Sequence, residues 1–82
     1  MVTIDYEFNF KKVFKKINNH TNKEKVRKQI KKIVANPEIG KPMRYGRKGT
    51  RELYVKPFRI SYAFLDNENK IIFLDLYHKD QQ

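Results

Sequence analysis

Apolar residues in the first half of the chain recur at helical spacing. The first stripe repeats at i, i+3, i+4 and i+7 and consists of Phe10, Val13, Phe14 and Ile17. The second stripe consists of Val26, Ile30, Ile33 and Val34. Between the stripes, Asn18-Asn19-His20 interrupts the pattern, Thr21–Glu24 has the spacing of a capping box, and Asn36-Pro37 ends the second helix. The pattern predicts two amphipathic helices joined by a turn.

The ends of the chain alternate in the way that strands do. Thr3–Tyr6 predicts a short first strand, and three further strands follow from Arg51, separated by turns at Lys56-Pro57 and Asp66–Lys70. The segment Glu38–Thr50 contains all three glycines and predicts an irregular loop. The residues that we expect to face the helices are Leu53 and Val55, then Ile60, Tyr62 and Phe64, then Ile72, Leu74 and Leu76.

This order of elements predicts an α+β fold. A β-α-α-β-β-β chain with short connections between its last strands forms an antiparallel meander. We therefore expect the N-terminal strand and a two-helix hairpin to pack on one face of a small antiparallel sheet. The length of 82 residues predicts a single domain.

Charge is distributed unevenly along the chain. Nineteen Lys and Arg against nine Asp and Glu give a net charge of +10. Fourteen of the basic residues and only two of the acidic ones lie between Lys11 and Lys48. Such a field attracts polyanions, so a nucleic acid, an acidic membrane surface or an acidic protein is the expected partner. The alternative is a lysine-rich helical surface that serves solubility alone.

The sheet face opposite the helices carries the candidate site. If Ile60 and Tyr62 face inward, strand alternation turns Arg59, Ser61 and Ala63 outward, beside Glu52 and Tyr54. Its rim carries further cations and a histidine, with Arg47, Lys48 and Arg51 on one side and His78 and Lys79 on the other. A basic, partly aromatic surface suits a phosphodiester backbone with a stacked base. The structural alternatives are an ion pair of Arg59 with Asp75, a packing role for Tyr54 and an ordinary surface histidine at position 78.

Missing residue types narrow the chemistry. The chain has no cysteine, so thiol nucleophiles, zinc–thiolate sites and disulfides are excluded, and nothing indicates secretion. There is no HExxH motif, no phosphate-binding GxxxxGK[ST] loop, no metal-binding cluster of acids and no apolar run long enough to span a membrane. We expect a cytoplasmic protein without a cofactor. The remaining chemistry is metal-free and suits RNA, whose own 2′-hydroxyl attacks the adjacent phosphate.

Four short motifs, in this order, resemble the RelE/ParE superfamily of type II toxins. They are Gly40-Lys41-Pro42-Met43-Arg44, Arg51-Glu52-Leu53-Tyr54, Phe58-Arg59-Ile60-Ser61-Tyr62 and the closing Tyr77-His78-Lys79. With the helical hairpin and the Asn-Pro ending of the second helix, the resemblance covers nearly the whole chain. It implies one RelE-like toxin domain over residues 1–82 and a cognate RelB-like antitoxin that is acidic or amphipathic.

Within the RelE branch, the resemblance implies ribosome-dependent cleavage of mRNA in the A site, which stops translation without a metal. Arg59 matches the arginine that is expected to contact the scissile phosphate. Lys79 matches the basic residue that follows the last strand in many members, and His78 matches the histidine that directly precedes that basic residue. These three residues are the catalytic candidates. Arg47, Lys48, Arg51, Tyr54 and Lys56 are the predicted RNA contacts.

Two alternatives stay open at this point. The ParE branch resembles this fold but poisons DNA gyrase. The outward positions of the second predicted strand fit that branch, because Thr50, Glu52 and Tyr54 stand where ribonuclease members carry basic residues. The third possibility is a basic nucleic-acid-binding module without catalysis, for which salt-dependent binding without product would be diagnostic.

Overall fold

Two helices cover one face of a five-stranded sheet in the computed structural model, which describes residues 2–42 and 49–78. The strands lie in the order β1-β5-β4-β3-β2. The elements in chain order are β1 (Thr3–Tyr6), α1 (Phe8–Lys16), α2 (His20–Ala35), β2 (Lys41–Pro42), β3 (Thr50–Val55), β4 (Phe58–Leu65), a 3-10 turn (Asp66–Glu68) and β5 (Lys70–His78). Within the described ranges, no helix is long and apolar enough to cross a membrane.

The helical hairpin forms where the apolar stripes predict it. Phe10, Ile17, Val26 and Ile33 are its buried residues. The predicted start of α2 is wrong, however, because the helix begins at His20 and its cap is the Asn19 side chain, which accepts a hydrogen bond from the Asn22 amide at 3.2 Å. An asparagine caps a helix at least as well as a threonine, so the helix can begin before Thr21. Glu24 forms an ion pair with Arg27 instead of closing a capping box.

The sheet is mixed, whereas the sequence predicts an antiparallel one. β1 runs parallel to β5, with Thr3 opposite Lys70 and Tyr6 opposite Phe73. Strands β2 to β5 are antiparallel, as expected for a meander. Side chains alternate with the same period in both pairing directions, so the pattern predicts which face of a strand is buried but not its direction.

The predicted loop 38–50 contains a further short strand. Lys41 and Pro42 pair with Glu52 and Arg51 and extend the sheet beyond β3. A proline is compatible with this position because β2 is the edge strand. Lys41 is thereby held beside the outer face of β3.

The core lies between the helices and the inner face of β4 and β5. Ile60 and Tyr62 are fully buried, as predicted. On β5 the prediction is wrong at two positions, because Ile71 and Phe73 are buried in place of Ile72 and Leu74. The cause is a break in the β4–β5 register between Ser61 and Tyr62, which pair with Asp75 and Phe73 and leave Leu74 as an extra residue. A bulge of this kind shifts the alternation of one strand relative to its partner.

The Tyr62 hydroxyl ties the end of α2 to the sheet. It accepts a hydrogen bond from the Gly40 amide at 2.9 Å and donates one to the Pro37 carbonyl at 2.7 Å. A Cβ on Gly40 would lie 2.7 Å from the Tyr62 oxygen, so this close approach requires glycine. The Arg51 guanidinium donates to the carbonyls of Glu38 and Gly40 and braces the same segment.

Candidate nucleic-acid interface

A hydrogen-bonded group of side chains lies on the sheet face that the helices leave open. Glu52 is at its centre: one carboxylate oxygen faces the Arg59 guanidinium at 3.3 Å, and the other accepts a hydrogen bond from the Tyr77 hydroxyl at 2.6 Å. The Arg59 guanidinium also lies over the Tyr54 ring, 6.0 Å from its centroid. We call Glu52, Tyr54, Arg59 and Tyr77 the outer-face cluster.

Strand register brings these four residues together from distant parts of the sequence. Arg59 on β4 lies directly between Tyr54 on β3 and Tyr77 on β5. Glu52 is opposite Ser61, which is two residues from Arg59 and therefore on the same face. The small Ser61 side chain leaves room for Glu52 to reach both Arg59 and Tyr77.

Electrostatics in the cluster favour a neutral phenol. Partial burial raises the pKa of Tyr77, and the hydrogen bond to the Glu52 carboxylate raises it further. The Arg59–Glu52 pair is partly open to water, with side-chain exposures of 34% and 21%. Its separation of 3.3 Å exceeds the 2.7–2.9 Å that is usual for a charge-assisted hydrogen bond, so the pair is loose. A tighter anionic ligand would therefore compete for the guanidinium.

A concavity of about 480 Å³ adjoins the cluster. Its walls include Glu52, Tyr54 and Arg59 together with Ile39 and Lys41. Tyr54 is 47% exposed and Ile39 41% exposed, so one wall is an apolar surface open to solvent. Lys41 brings a second cation to this concavity, so the site combines positive charge with an aromatic ring.

The comparisons with known proteins agree with the motif resemblance. The family model described as the ParE toxin of the type II toxin-antitoxin system parDE matches residues 5–82. The chain belongs to this toxin family. This confirms the predicted membership of the RelE/ParE superfamily. A search of curated proteins returned no match.

Solved structures of toxins share this fold. The isolated E. coli RelE toxin matches with a TM-score of 0.80 at 15% identity, over 95% of this chain and 84% of that one. The RelBE2 toxin-antitoxin complex from Mycobacterium tuberculosis matches with a TM-score of 0.78 at 19% identity, over 94% and 96%. YafQ from E. coli matches with a TM-score of 0.72 at 16% identity, over 99% and 97%. At these identities the likeness is one of fold, and the predicted RelE-like architecture is confirmed.

The toxin fold distributes the predicted RNA contacts over different surfaces. Tyr54 lies beside Arg59, and Lys56 is exposed in the turn that follows β3. Arg51 pairs with buried Tyr62 in the register, so its side chain lies on the helix side of the sheet. Two backbone carbonyls already accept hydrogen bonds from it, at 2.7 and 3.0 Å. Arg47 and Lys48 are outside the described residues.

The predicted convergence of Arg59 and His78 on one edge is wrong. Tyr77 is opposite Arg59, so the next residue, His78, is opposite Phe58 and lies on the helix side. Its ring contacts the Phe58 ring edge to face, with centroids 5.5 Å apart. The alternative ion pair of Arg59 with Asp75 is also absent, because Glu52 takes that place and Asp75 accepts from the Leu76 amide. Lys79 is outside the described residues.

The sequence analysis did not include two residues of the candidate site. Tyr77 joins the outer-face cluster because it is the residue of β5 that faces Arg59, and Lys41 joins the concavity because β2 pairs with β3. A signal for Tyr77 exists in the sequence, because strand alternation turns the residue that follows an inward Leu76 outward. No such signal exists for a two-residue strand within a glycine-rich segment. Among residues 2–42 and 49–78, no group of three His, Asp or Glu residues is arranged to hold a metal ion.

Proposed function

We propose that this toxin is a ribosome-dependent mRNA endoribonuclease that cuts mRNA in the A site and stops translation. The observation that carries the proposal is the outer-face cluster, in which a cation, a carboxylate and a neutral phenol meet on an open face beside a concavity. These are the groups that metal-free cleavage of RNA requires. The fold shared with RelE and YafQ supports the same reaction class.

Each group has a role in that reaction. Attack of a 2′-hydroxyl on the adjacent phosphate forms a 2′,3′-cyclic phosphate and breaks the bond to the 5′-oxygen, which leaves as a hydroxyl after taking a proton from water. The negative charge that builds on the phosphate oxygens is stabilised by paired hydrogen bonds from the Arg59 guanidinium. Glu52 is the nearest proton acceptor for the 2′-hydroxyl. The Tyr77 phenol stays protonated because its pKa is raised, so it serves as a hydrogen-bond donor. The exposed Tyr54 ring offers a stacking surface for a base.

Substrate binding would also free the carboxylate. In the unbound protein Glu52 is loosely paired with Arg59 at 3.3 Å. A phosphate presents two oxygens to the planar guanidinium and displaces the single carboxylate oxygen. The Glu52 oxygen that faced Arg59 is then available as a base for the 2′-hydroxyl, while the other oxygen keeps its hydrogen bond from Tyr77. His78 and Lys79 remain predicted participants, and His78 would have to act from the helix side of the sheet.

We also propose a protein partner that restrains the toxin. Two structures that match the fold are described as complexes, E. coli RelBE and E. coli DinJ-YafQ. A net charge of +10 favours an acidic partner. We therefore propose a cognate RelB-like antitoxin for this chain, and the ribosome and mRNA as its targets when it is free.

The decisive experiment is primer extension on a defined mRNA in a translating extract. Wild-type protein should cut within A-site codons. Arg59→Ala should lose about 10²–10³-fold in rate, as is usual when one transition-state donor is removed. Glu52→Gln should lose about 10²–10⁴-fold, because it keeps the shape of the side chain but cannot accept the proton.

Arg27→Ala is the matched control, because Arg27 also pairs with a glutamate, Glu24, but on helix α2. It should cut like the wild type. An uncut mRNA with wild-type protein, or an Arg59→Ala variant as active as the control, would contradict the proposal. RNA binding without any cleavage product would favour the hypothesis of a nucleic-acid-binding module without catalysis.

Two observations favour a second candidate function, inhibition of DNA gyrase. The family model that matches is that of ParE, and the outward positions of β3 hold Glu52 and Tyr54 rather than basic residues. A carboxylate there also offsets the charge of Arg59. If gyrase inhibition is the activity, gyrase–DNA cleavage complexes should accumulate with wild-type protein while mRNA stays intact.

A further inference from the structure

A second cavity opens at the end of β5, between the sheet and α1, and Tyr77 of the outer-face cluster is among its lining residues. Its volume is about 740 Å³, larger than the concavity beside Arg59. One wall is formed by α1 and the junction with α2, and the other by the first residue of β4 and the end of β5. His78, which the β5 register turns away from Arg59, lies in this cavity.

Two lysines give the cavity its charge. Lys12 and Lys16 are one turn apart on α1, so they lie on the same face of that helix, and both line the cavity. Neither takes part in an ion pair within the described ranges. Asp75 also lines the cavity, but it is opposite Ser61 and therefore points toward the outer face, and one of its oxygens already accepts a hydrogen bond from the Leu76 amide at 2.8 Å. Two neighbouring lysines of like charge on one wall favour an anionic ligand in the cavity.

The remaining wall suits a planar heterocycle. Phe58 is only 6% exposed and holds the His78 ring edge to face at 5.5 Å, so the floor carries two aromatic rings. Asn9 and Asn22 contribute side-chain amides, each of which has donors and an acceptor for the edge of a base. The Asn19 side chain caps α2, so we do not assign it a contact with the base. A ligand with a phosphate group that pairs with the two lysines and a planar ring that lies on the aromatic floor is a nucleotide.

We propose that this cavity binds one nucleotide of the RNA strand whose scissile phosphate lies at Arg59. Tyr77 and His78 are consecutive, and they lie on opposite faces at the end of β5. A single strand that bends round this end contacts the outer-face cluster first and the cavity next. Lys12 and Lys16 hold its phosphate, and the His78 and Phe58 rings contact its base. The ligand class rests on the proposed function, but the site is independent of the cleavage chemistry.

Binding of a short fluorescein-labelled single-stranded RNA, followed by anisotropy at several salt concentrations, tests the proposal. Replacement of both lysines (Lys12→Gln with Lys16→Gln) should weaken binding by about an order of magnitude at low salt. It should also reduce the slope of log K against log salt by about 1.4, the value for two phosphate contacts on a single strand. Lys28→Gln with Lys32→Gln is the matched control, because it removes the same charge at the same spacing from exposed positions of α2. If both pairs of replacements have equal effects, the cavity is not a binding site.

Amide and imidazole NMR signals locate the ligand directly. Titration of the same RNA should shift the side-chain signals of Asn9, Asn22 and His78, and at saturating RNA an Arg59→Ala variant should show the same shifts. Unmoved signals would overturn the proposal even if ribosomal cleavage is intact. Shifted signals with no cleavage would retain the cavity and refute the endoribonuclease instead. Displacement of the RNA from these signals by poly-glutamate at equal charge concentration would identify an acidic protein as the ligand and overturn the choice of RNA.

Discussion

Replacement of Tyr62 by phenylalanine tests the tie between the end of α2 and the sheet. The side chain is fully buried, and phenylalanine has nearly the same shape, so the packing of the ring is retained. The change removes one oxygen atom that serves as acceptor for Gly40 and as donor to Pro37. The effect on stability therefore reports the two hydrogen bonds rather than a cavity.

The expected cost is about 2–3 kcal/mol. A buried amide that loses its acceptor costs about 1–3 kcal/mol, and the Gly40 amide has no water to replace the phenol where the ring excludes it. The Pro37 carbonyl is only partly buried and adds less. For a domain of this size each kcal/mol lowers the melting temperature by about 4–8 °C, so a fall of about 10–20 °C follows.

Thermal unfolding followed by circular dichroism measures this fall. Tyr6→Phe is the control, because Tyr6 is 37% exposed and its hydroxyl makes no hydrogen bond to the residues that the structure describes. Its ring keeps the stacking contact with Phe73, so a change within about 0.5 kcal/mol is expected. Equal melting temperatures for the two variants would refute the reasoning, since they would mean that the Tyr62 hydroxyl does not hold the end of α2.

Three further predictions concern stability. Asn19→Ala should lower the stability by about 1 kcal/mol in a thermal melt because it removes the cap of α2, whereas Thr21→Ala should change it little. A larger loss for Thr21→Ala than for Asn19→Ala would indicate that Thr21 caps the helix instead. Gly49→Ala should lower the urea midpoint by the equivalent of about 1–2 kcal/mol because φ is +82° there, and an unchanged midpoint would contradict this. Burial raises the pKa of both Tyr62 and Tyr77 in the folded state, so the contribution of these two groups to stability should be fully present below pH about 10 and be lost as pH rises through the folded-state values. Tyr77→Phe should make that alkaline fall shallower, and an identical pH profile would count against it.

The helices and the inner face of β4 are predictable because their apolar periodicity is strong. Phe10, Ile17, Val26 and Ile33 all contribute to the core that their spacing implies. The direction of β1 and the existence of β2 are not predictable in the same way. Both depend on which strand edge is free in the assembled sheet, and that information is spread over the whole chain.

The candidate site was partly predictable for a related reason. Alternation along β4 turns Arg59 outward, and the pairing with β3 brings Tyr54 beside it. The ion pair with Glu52 was missed because cross-strand neighbours depend on register, which the composition of the strands does not specify. The face of His78, by contrast, does follow from alternation, because an inward Leu76 places position 78 on the helix side as well.

The bulge in β5 has a consequence for insertions and deletions. β5 carries one residue more than β4 needs, because Ser61 pairs with Asp75 while Tyr62 pairs with Phe73. Loss of Leu74 would therefore leave a regular ladder in which Tyr77 still faces Arg59. Loss of a residue closer to the end of β5 would exchange the two surfaces, placing an imidazole beside the outer-face cluster and a phenol beside α1. The number of residues in β5 therefore decides on which face of the sheet the Tyr77 and His78 rings lie. Thermal melting and RNA-binding measurements on the two deletion variants would show whether the two rings have exchanged faces.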